Sequence, residues 1–374
     1  MRDALLSLIK EGADLSLPDA FNTLAIRLFC YQLDHNPVYQ RFVLSQQRSR
    51  EINRWEDIPP LPIMAFRFTD IKCRPLSEAQ RIFYSSGTTG EPKSQHPVFD
   101  LEIATAAILS NFDKHLMPEG GRIKMAILTP SPSEAPHASL VYMMDVVCKA
   151  YGTDASQYYV KGGEMQTEGL VNDLQKTTEP IAMLGTSLEF VHLIDFMEDQ
   201  NARFSLPAGS RLMDTGGFKG RSREVSRPWL LEKLTERLGI PPAYCVNEYG
   251  MAEMTSQFYD GIAGLALPTS APRFYTPPAQ VQSRVLSLET LEPAQKGEVG
   301  LLAHCDLANI DSVIAILTED LGREVDGGFQ LIGRAPGAIA KGCSMNMDEW
   351  ATAGFTSEPV LSDRSSQKPG SQSA

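Results

Sequence analysis

The chain has 374 residues, of which 43% are hydrophobic, so it is long enough to bury one large core or two ordinary ones. Acidic residues outnumber basic residues 46 to 34, and this net charge of −12 argues against a nucleic-acid partner. Its six cysteines show no C-x-x-C spacing, which argues against a disulfide framework or a zinc site and fits the cytoplasm.

The N-terminal region shows no membrane signal. Its first ten residues are too interrupted by polar residues for a signal peptide, and no apolar run reaches the roughly 20 residues that cross a bilayer. We therefore expect a soluble protein without a membrane span. Helical spacing predicts a helix over residues 17–34, and the stretch up to Phe68, rich in prolines and aromatics, is predicted to wrap around the rest of the chain.

The densest chemical signal is the segment from Tyr84 to Lys93, which reads Y-S-S-G-T-T-G-E-P-K. Its hydroxyls can donate to an anion, its glycines allow close approach of backbone N–H groups, and its lysine adds positive charge. The P-loop pattern G-x-x-x-x-G-K-[ST] needs a glycine before the lysine, but Pro92 stands there. We therefore predict a triphosphate loop of another architecture, formed by Ser85, Ser86, Gly87, Thr88, Thr89, Gly90 and Lys93.

Beyond the loop, helical spacing alternates with short apolar runs, which predicts βαβ units on a mostly parallel sheet. Past Gly261 the runs are separated by turns, which predicts an antiparallel β subdomain. The fold class is therefore α/β. The predicted helices cover residues 99–115, 138–150, 164–176, 187–199 and 227–238, and the predicted strands cover 123–128, 181–185, 243–246, 281–288, 299–303 and 312–317.

Three further motifs follow in order. His137 lies in A-P-H-A-S after a predicted strand, where a neutral imidazole could line a substrate site, cap a helix or sit in the core. Gly216 and Gly217 end an apolar run, and there a ligand could lie against bare backbone. The segment from Asn247 to Glu253 reads N-E-Y-G-M-A-E.

In this order, the loop, the G-G pair and N-E-Y-G-M-A-E resemble motifs of the adenylate-forming superfamily, which includes acyl-CoA ligases and firefly luciferase and activates carboxylates with ATP. The resemblance implies that Tyr249 stacks on adenine and that Glu253 holds Mg²⁺. It further implies that Asp320 accepts both ribose hydroxyls and that Arg334 lies near ribose or phosphate. Ala252 departs from the pattern, because Ser or Thr usually contacts the α-phosphate there. The implied ATP-binding set also contains Gly216, Gly217, Asn247, Glu248, Gly250 and Met251.

The C-terminal part departs from typical members of that superfamily. Only forty residues follow Arg334, and they contain no P-K-T-x-x-G-K motif, which makes ordinary CoA ligation less favoured. Residues 339–345 read I-A-K-G-C-S-M, and their G-C-S resembles that of LuxE-type acyl-protein synthetases. The segment P-P-L-P-I-M from Pro59 also resembles LuxE, and the collinear resemblance covers roughly residues 35–350. By the same resemblance, His137 is placed beside the acyl pocket.

Cys343 is the candidate acyl acceptor. Gly342 permits close approach, Ser344 can donate to a thiolate, and Lys341 favours ionisation of the thiol. The acceptor role rests mainly on the family position. The alternative is an inert buried thiol, because free cysteine often acts as a small hydrophobe.

The combined prediction is a ligase that converts a carboxylic acid, preferably a fatty acid, to acyl-AMP and then to an acyl-thioester on cysteine. LuxE resemblance implies a protein partner, an acyl reductase or another acyl-accepting protein. Two alternatives stay open, a CoA ligase similar to phenylacetate-CoA ligases and a degenerate nucleotide-binding subunit. The predicted organisation is an adenylating domain over 1–334, a short segment over 335–361 and a disordered tail over 362–374.

Overall fold

The computed structural model describes residues 1–11, 19–85, 93–216, 225–266 and 272–335. Nine α-helices lie in these ranges: α1 (Arg2–Glu11), α2 (Asp19–His35), α3 (Pro37–Ser45), α4 (Ala65–Phe68), α5 (Leu101–Leu116), α6 (Ser139–Tyr151), α7 (Thr167–Gln175), α8 (Ser187–Asp199) and α9 (Arg227–Leu238). The predicted tail and all but the first residue of the predicted segment 335–361 lie outside the described residues, so these boundaries stay predictions.

The same ranges contain fifteen β-strands. They are β1 (Leu61–Pro62), β2 (Arg81–Tyr84), β3 (Gln95–Val98), β4 (Lys124–Leu128), β5 (Gln157–Tyr158), β6 (Val160–Lys161), β7 (Glu164–Met165), β8 (Ile181–Thr186), β9 (Arg211–Thr215), β10 (Cys245–Tyr249), β11 (Phe258–Tyr259), β12 (Val281–Leu286), β13 (Val299–Asp306), β14 (Ala315–Val325) and β15 (Gly328–Arg334).

The larger sheet has six strands in the order β11-β10-β9-β8-β4-β5, and all neighbours are parallel except β10 and β11. Successive residues of β8 point into different cores: Met183 packs with α8 and α9, whereas Leu184 packs with α5 and α6. Helices therefore cover both faces, which is why β4 and β8 are apolar along most of their length rather than alternating. The predicted α/β class with a mostly parallel sheet is confirmed.

The second sheet has the order β1-β14-β13-β12, with β15 also paired to β14. The pairs among β12 to β15 are antiparallel, as predicted for the region past Gly261, whereas β1 runs parallel to β14. Strand β14 is longer than the predicted 312–317, so Asp320 lies within a strand rather than after one. The prediction missed this extension because the polar residues from Thr318 onward interrupt the apolar run.

The N-terminal helices pack against the second sheet. Phe29 of α2 and Tyr39 of α3 share one core with Ile316 of β14. Gln32 donates to the backbone carbonyls of Asn309 and Ile310 at 2.8 and 2.9 Å, so helix α2 is also tied down by buried hydrogen bonds. Helices α1 and α3 were not predicted. Helix α3 is only nine residues long and starts at a proline, which masked its periodicity.

Strands β2 and β3 form a small separate hairpin, which packs onto the helices of the larger sheet. Phe83 and Val98 of the hairpin share a cluster with Ala104 of α5, and Tyr142 of α6 packs beside them. The hairpin thus lies on the side of the sheet that α5 and α6 cover. Along the described ranges, no helix has both the length and the apolar character needed to cross a bilayer.

Candidate active site

The carboxyl ends of β8, β9 and β10 meet at one edge of the larger sheet. In open α/β sheets this edge is the usual place for a ligand crevice. Gly216 follows β9 with φ of +70°, and a side chain there would contact nothing within 4 Å. Gly216 therefore lies in open space at the crevice, whereas its predicted partner Gly217 lies outside the described residues.

The predicted triphosphate loop connects strands β2 and β3. Ser85 and Ser94 close its neck: the Ser85 N–H donates to the Ser94 carbonyl at 3.0 Å, and the Ser94 N–H donates to the Ser85 hydroxyl at 2.9 Å. Lys93 is exposed beside this neck. The other predicted loop residues, Ser86, Gly87, Thr88, Thr89 and Gly90, lie outside the described residues.

Glu253 lies against that neck. Its carboxyl group forms a hydrogen bond with the Ser94 hydroxyl, and its backbone carbonyl accepts from the Asn309 side chain at 3.1 Å. Burial raises the pKa of Glu253, while the Ser94 hydrogen bond and the charges of Arg67 and Arg334 oppose that rise. A buried carboxylate therefore lies next to the start of the loop, where the predicted metal ligand would be needed.

Tyr249, Asp320 and Arg334 form one chain of contacts. The Tyr249 hydroxyl donates to Asp320 Oδ2 at 2.8 Å, and Arg334 Nε lies 3.5 Å from Asp320 Oδ1. Three predicted nucleotide-binding residues, far apart in sequence, are thus brought together. Tyr249 is only 8% exposed, and its ring centroid lies 5.7 Å from that of Phe258 and 5.8 Å from that of Phe329. The implied stacking of Tyr249 on adenine stays a prediction.

Asn247 is oriented by a buried polar network around Asp214. The Asn247 amide donates to Asp214 Oδ2 at 2.9 Å and accepts from the Tyr275 hydroxyl at 2.5 Å. Asp214 is completely buried, accepts from the Ser187 hydroxyl at 2.8 Å and pairs with Arg227. Removing Arg227 would leave the buried Asp214 carboxylate without an ion-pair partner, and the hydrogen bonds of Asp214 and Tyr275 hold Asn247 in one orientation.

Glu248 points to the opposite face of β10 from Asn247. It is 4% exposed, and the Thr215 hydroxyl donates to its carboxyl group. The pKa of Glu248 is raised to about 7: burial is the main cause, the Thr215 hydrogen bond opposes the rise, and the charge of Asp214 adds to it. Burial therefore favours the protonated form of this carboxyl group.

The remaining predicted residues lie at the margins. His137 is exposed beside β2, where its Nδ1 lies 3.0 Å from the Ile82 carbonyl and its own carbonyl accepts from the Tyr84 N–H. Met251 packs against the core that holds the N-terminal helices. The acyl-pocket role of His137 stays a prediction, and Cys343 lies outside the described residues.

Two residues near the site were missed in the sequence. Ser94 follows the predicted loop by one position and could have been found by extending that motif. Arg67 lies on α4, and its charge acts on Glu253. The preceding residue, Phe66, has its ring centroid 6.3 Å from that of His96 on β3. No sequence pattern marks Arg67, because its place near Glu253 depends on how the N-terminal segment folds back.

Comparisons with known proteins agree with the LuxE resemblance of the sequence motifs. The family model described as "Acyl-protein synthetase, LuxE" matches residues 18–352. Two curated relatives are each named long-chain-fatty-acid–luciferin-component ligase and are each 22% identical to the chain. The one from Aliivibrio fischeri aligns over 335 residues and covers 85% of both chains, and the one from Vibrio harveyi aligns over 337 residues and covers 86% of both.

Solved structures show the fold. An open conformation of 2-hydroxyisobutyryl-CoA ligase, in complex with 2-HIB-AMP and CoA, has a TM-score of 0.65 at 15% identity, covering 87% of this chain and 77% of that one. ATP-bound MatB from Rhodopseudomonas palustris has a TM-score of 0.50 at 15% identity, covering 70% of this chain and 49% of that one. The architecture described above is therefore that of the adenylate-forming ligases.

Proposed function

The chain belongs to the LuxE acyl-protein synthetase family, and from that premise we propose that it activates a fatty acid with ATP and passes the acyl group to a cysteine thiol. The preference for a fatty acid is supported by the names of these two relatives. The order of the motifs and the adenylate-forming fold support the use of ATP.

One observation carries this proposal above the others. The Ser85–Ser94 neck of the predicted triphosphate loop touches Glu253, while Tyr249 is linked to Asp320 and Arg334. Phosphate-binding, metal-binding and ribose-binding candidates thus converge at one end of β10. A nucleotide bound there would present its α-phosphate between the ribose contacts and the loop, within reach of a second substrate in the crevice.

The first step needs no general base, because a carboxylic acid is already ionised at neutral pH. One carboxylate oxygen attacks the α-phosphorus and forms a new O–P bond. The bond from that phosphorus to the oxygen of the β-phosphate breaks, and pyrophosphate leaves. Catalysis then consists of aligning two anions and stabilising the developing charge, which is the work of Lys93 and the hydroxyls and N–H groups of the loop.

The residues present fit a magnesium ion. Among the described residues no group of three His, Cys, Asp or Glu side chains could hold a metal by itself. Mg²⁺ in nucleotide sites, however, is usually bound by one or two carboxylates together with substrate phosphates. Glu253 is such a carboxylate, placed beside the loop neck, and a bound ion would supply neutralisation of phosphate charge.

The second step moves the acyl group to sulfur. A thiolate attacks the carbonyl carbon of acyl-AMP, a C–S bond forms, the C–O bond to AMP breaks, and AMP leaves. The thiol must first lose its proton, because only the thiolate is a good nucleophile. We assign the thiol to Cys343 and infer that an acyl-accepting partner protein takes the group onward, as the resemblance implies.

Labelled fatty acid tests both steps. The protein is incubated with the acid, ATP and Mg²⁺, then denatured, and the bound label is counted for wild type, Cys343→Ser and the control Cys30→Ser, whose residue lies on α2. We expect label on wild type and on Cys30→Ser, released by hydroxylamine, and none on Cys343→Ser.

Other outcomes decide between the alternatives. Label that stays on Cys343→Ser would defeat the acyl-cysteine step. In a parallel incubation with CoA added, label that leaves as a CoA thioester would identify a CoA ligase instead. Absence of acid-dependent ATP–pyrophosphate exchange with every acid tried would indicate a nucleotide-binding subunit without turnover.

A further inference from the structure

Glu248 lies on the same side of the larger sheet as the β2–β3 hairpin. On β10, Val246 packs with α5 and α6, so by the alternation of a strand Glu248 points to that side as well. The β2–β3 hairpin packs on α5 and α6 through Phe83 and Val98. The Glu248 side chain and the hairpin that carries Ser85 and Ser94 therefore lie on the same side of the sheet.

The Glu248 carboxyl group lies over the end of β10. A side chain built on Gly250 would have its Cβ only 2.4 Å from Glu248 Oε1 and 3.8 Å from Gln257 Cγ. Gly250 links Tyr249, on the ribose side, to the segment that ends in Glu253, on the phosphate side. A carboxyl group is thus held beside the backbone turn that separates those two parts of the site.

Among the described residues, the ionisable neighbours of Glu248 are acidic groups. The ionisable groups of the described residues that act on it or feel it are Asp214 on β9, Tyr259 on β11 and Tyr275. Asp214 is itself paired with Arg227. Burial raises the pKa of Glu248 to about 7, which favours the protonated form relative to an exposed carboxyl group.

We propose that protonated Glu248 binds the substrate acid, donating its O–H to the substrate carboxylate and so positioning that carboxylate for attack on the α-phosphorus. The inference rests on the proposed function. Two carboxyl groups within hydrogen-bonding distance in one buried site share a proton, because the repulsion between two negative charges prevents both groups from ionising. An O–H to carboxylate hydrogen bond is also short and strong, which suits a positioning contact.

The test is the pH dependence of the KM for the acid in ATP–pyrophosphate exchange, measured from pH 6 to 9 with a fatty acid. Loss of one proton that is required for binding raises the KM about tenfold per pH unit above the pKa. We expect this rise in wild type and in the control Glu164→Gln, which is exposed on β7. In Glu248→Gln, whose amide still donates but does not ionise, we expect the acid KM to be flat.

Thr215→Val gives an independent check. The Thr215 hydroxyl stabilises the ionised form of Glu248, so its loss should move the midpoint of the acid KM profile to higher pH. The KM for ATP should follow one and the same pH profile in all four proteins. This separates a role in acid binding from a merely structural role, which would alter both KM values together.

Three results overturn the inference: an identical acid KM profile in wild type and Glu248→Gln, equal changes in the KM for acid and for ATP, or a flat acid KM profile in wild type. Each of these requires measurable exchange and leaves the proposed function standing. If wild type shows no exchange with any acid at any pH, the proposed function itself fails.

Discussion

The buried histidine next to the loop neck should make the protein sensitive to mild acid. His96 on β3 is 3% exposed, and burial lowers its pKa from 6.5 to about 4. Between these two pKa values the unfolded chain binds a proton at His96 that the native state does not. The contribution of His96 to the unfolding free energy is therefore fully present above pH 6.5 and is lost as the pH falls toward 4. Between pH 7 and pH 5 one such imidazole costs about 2 kcal/mol of unfolding free energy.

Urea unfolding at pH 7 and pH 5 measures that loss. His115 and His304 are also buried with lowered pKa values, so wild type should lose more than one imidazole accounts for. His96→Gln removes one contribution, and the difference in unfolding free energy between the two pH values should shrink by about 2 kcal/mol. His35→Gln, on the exposed side of α2, controls for loss of an imidazole as such. An unchanged difference in His96→Gln would refute the reasoning.

Three further predictions follow from single contacts. Tyr249→Phe removes the 2.8 Å hydrogen bond to Asp320. A loss of about 1.5 kcal/mol in the free energy of ATP binding should raise the KM for ATP about tenfold. An unchanged KM would show that the contact does not shape the nucleotide site. Glu253→Gln should lower the exchange rate at least about 100-fold while the far-UV circular dichroism stays native, and activity within a factor of a few would count against its role. Gly300→Ala would put a Cβ 2.1 Å from a backbone oxygen of β12 and should lower Tm by several degrees, whereas Gly169→Ala on α7 meets nothing within 4 Å and should leave Tm equal or higher.

Local sequence signals located most helices well. Helix α8 covers 187–199 and α9 covers 227–238, the predicted bounds in both cases. The reasons are local: Thr186 and Ser226 cap the two N-termini, and Gly239 ends α9 in the left-handed region with φ of +69°. Strand β10 was placed too early, at 243–246, because its polar residues Asn247 and Glu248 do not look like a buried strand.

The order of the motifs determined the family and the chemistry. Y-S-S-G-T-T-G-E-P-K, the G-G pair and N-E-Y-G-M-A-E named most of the residues that the structure brings to the carboxyl ends of the central strands. These motifs are readable because each one serves a local geometry, a loop that admits phosphate or a turn after a strand. Geometries of this kind depend on residues that are adjacent in the sequence.

Only the tertiary structure decided how these pieces meet. Tyr249 bonds to Asp320 across 71 positions of sequence, and β1 pairs with β14 although more than 250 residues separate them. The charge of Arg67 acts on Glu253, and Asp214 forms a hydrogen bond with Asn247, through the same packing. Such contacts depend on burial and strand register over the whole chain, and no short pattern encodes them. The sequence therefore determined which chemical groups are present, and packing decided which of them share one site.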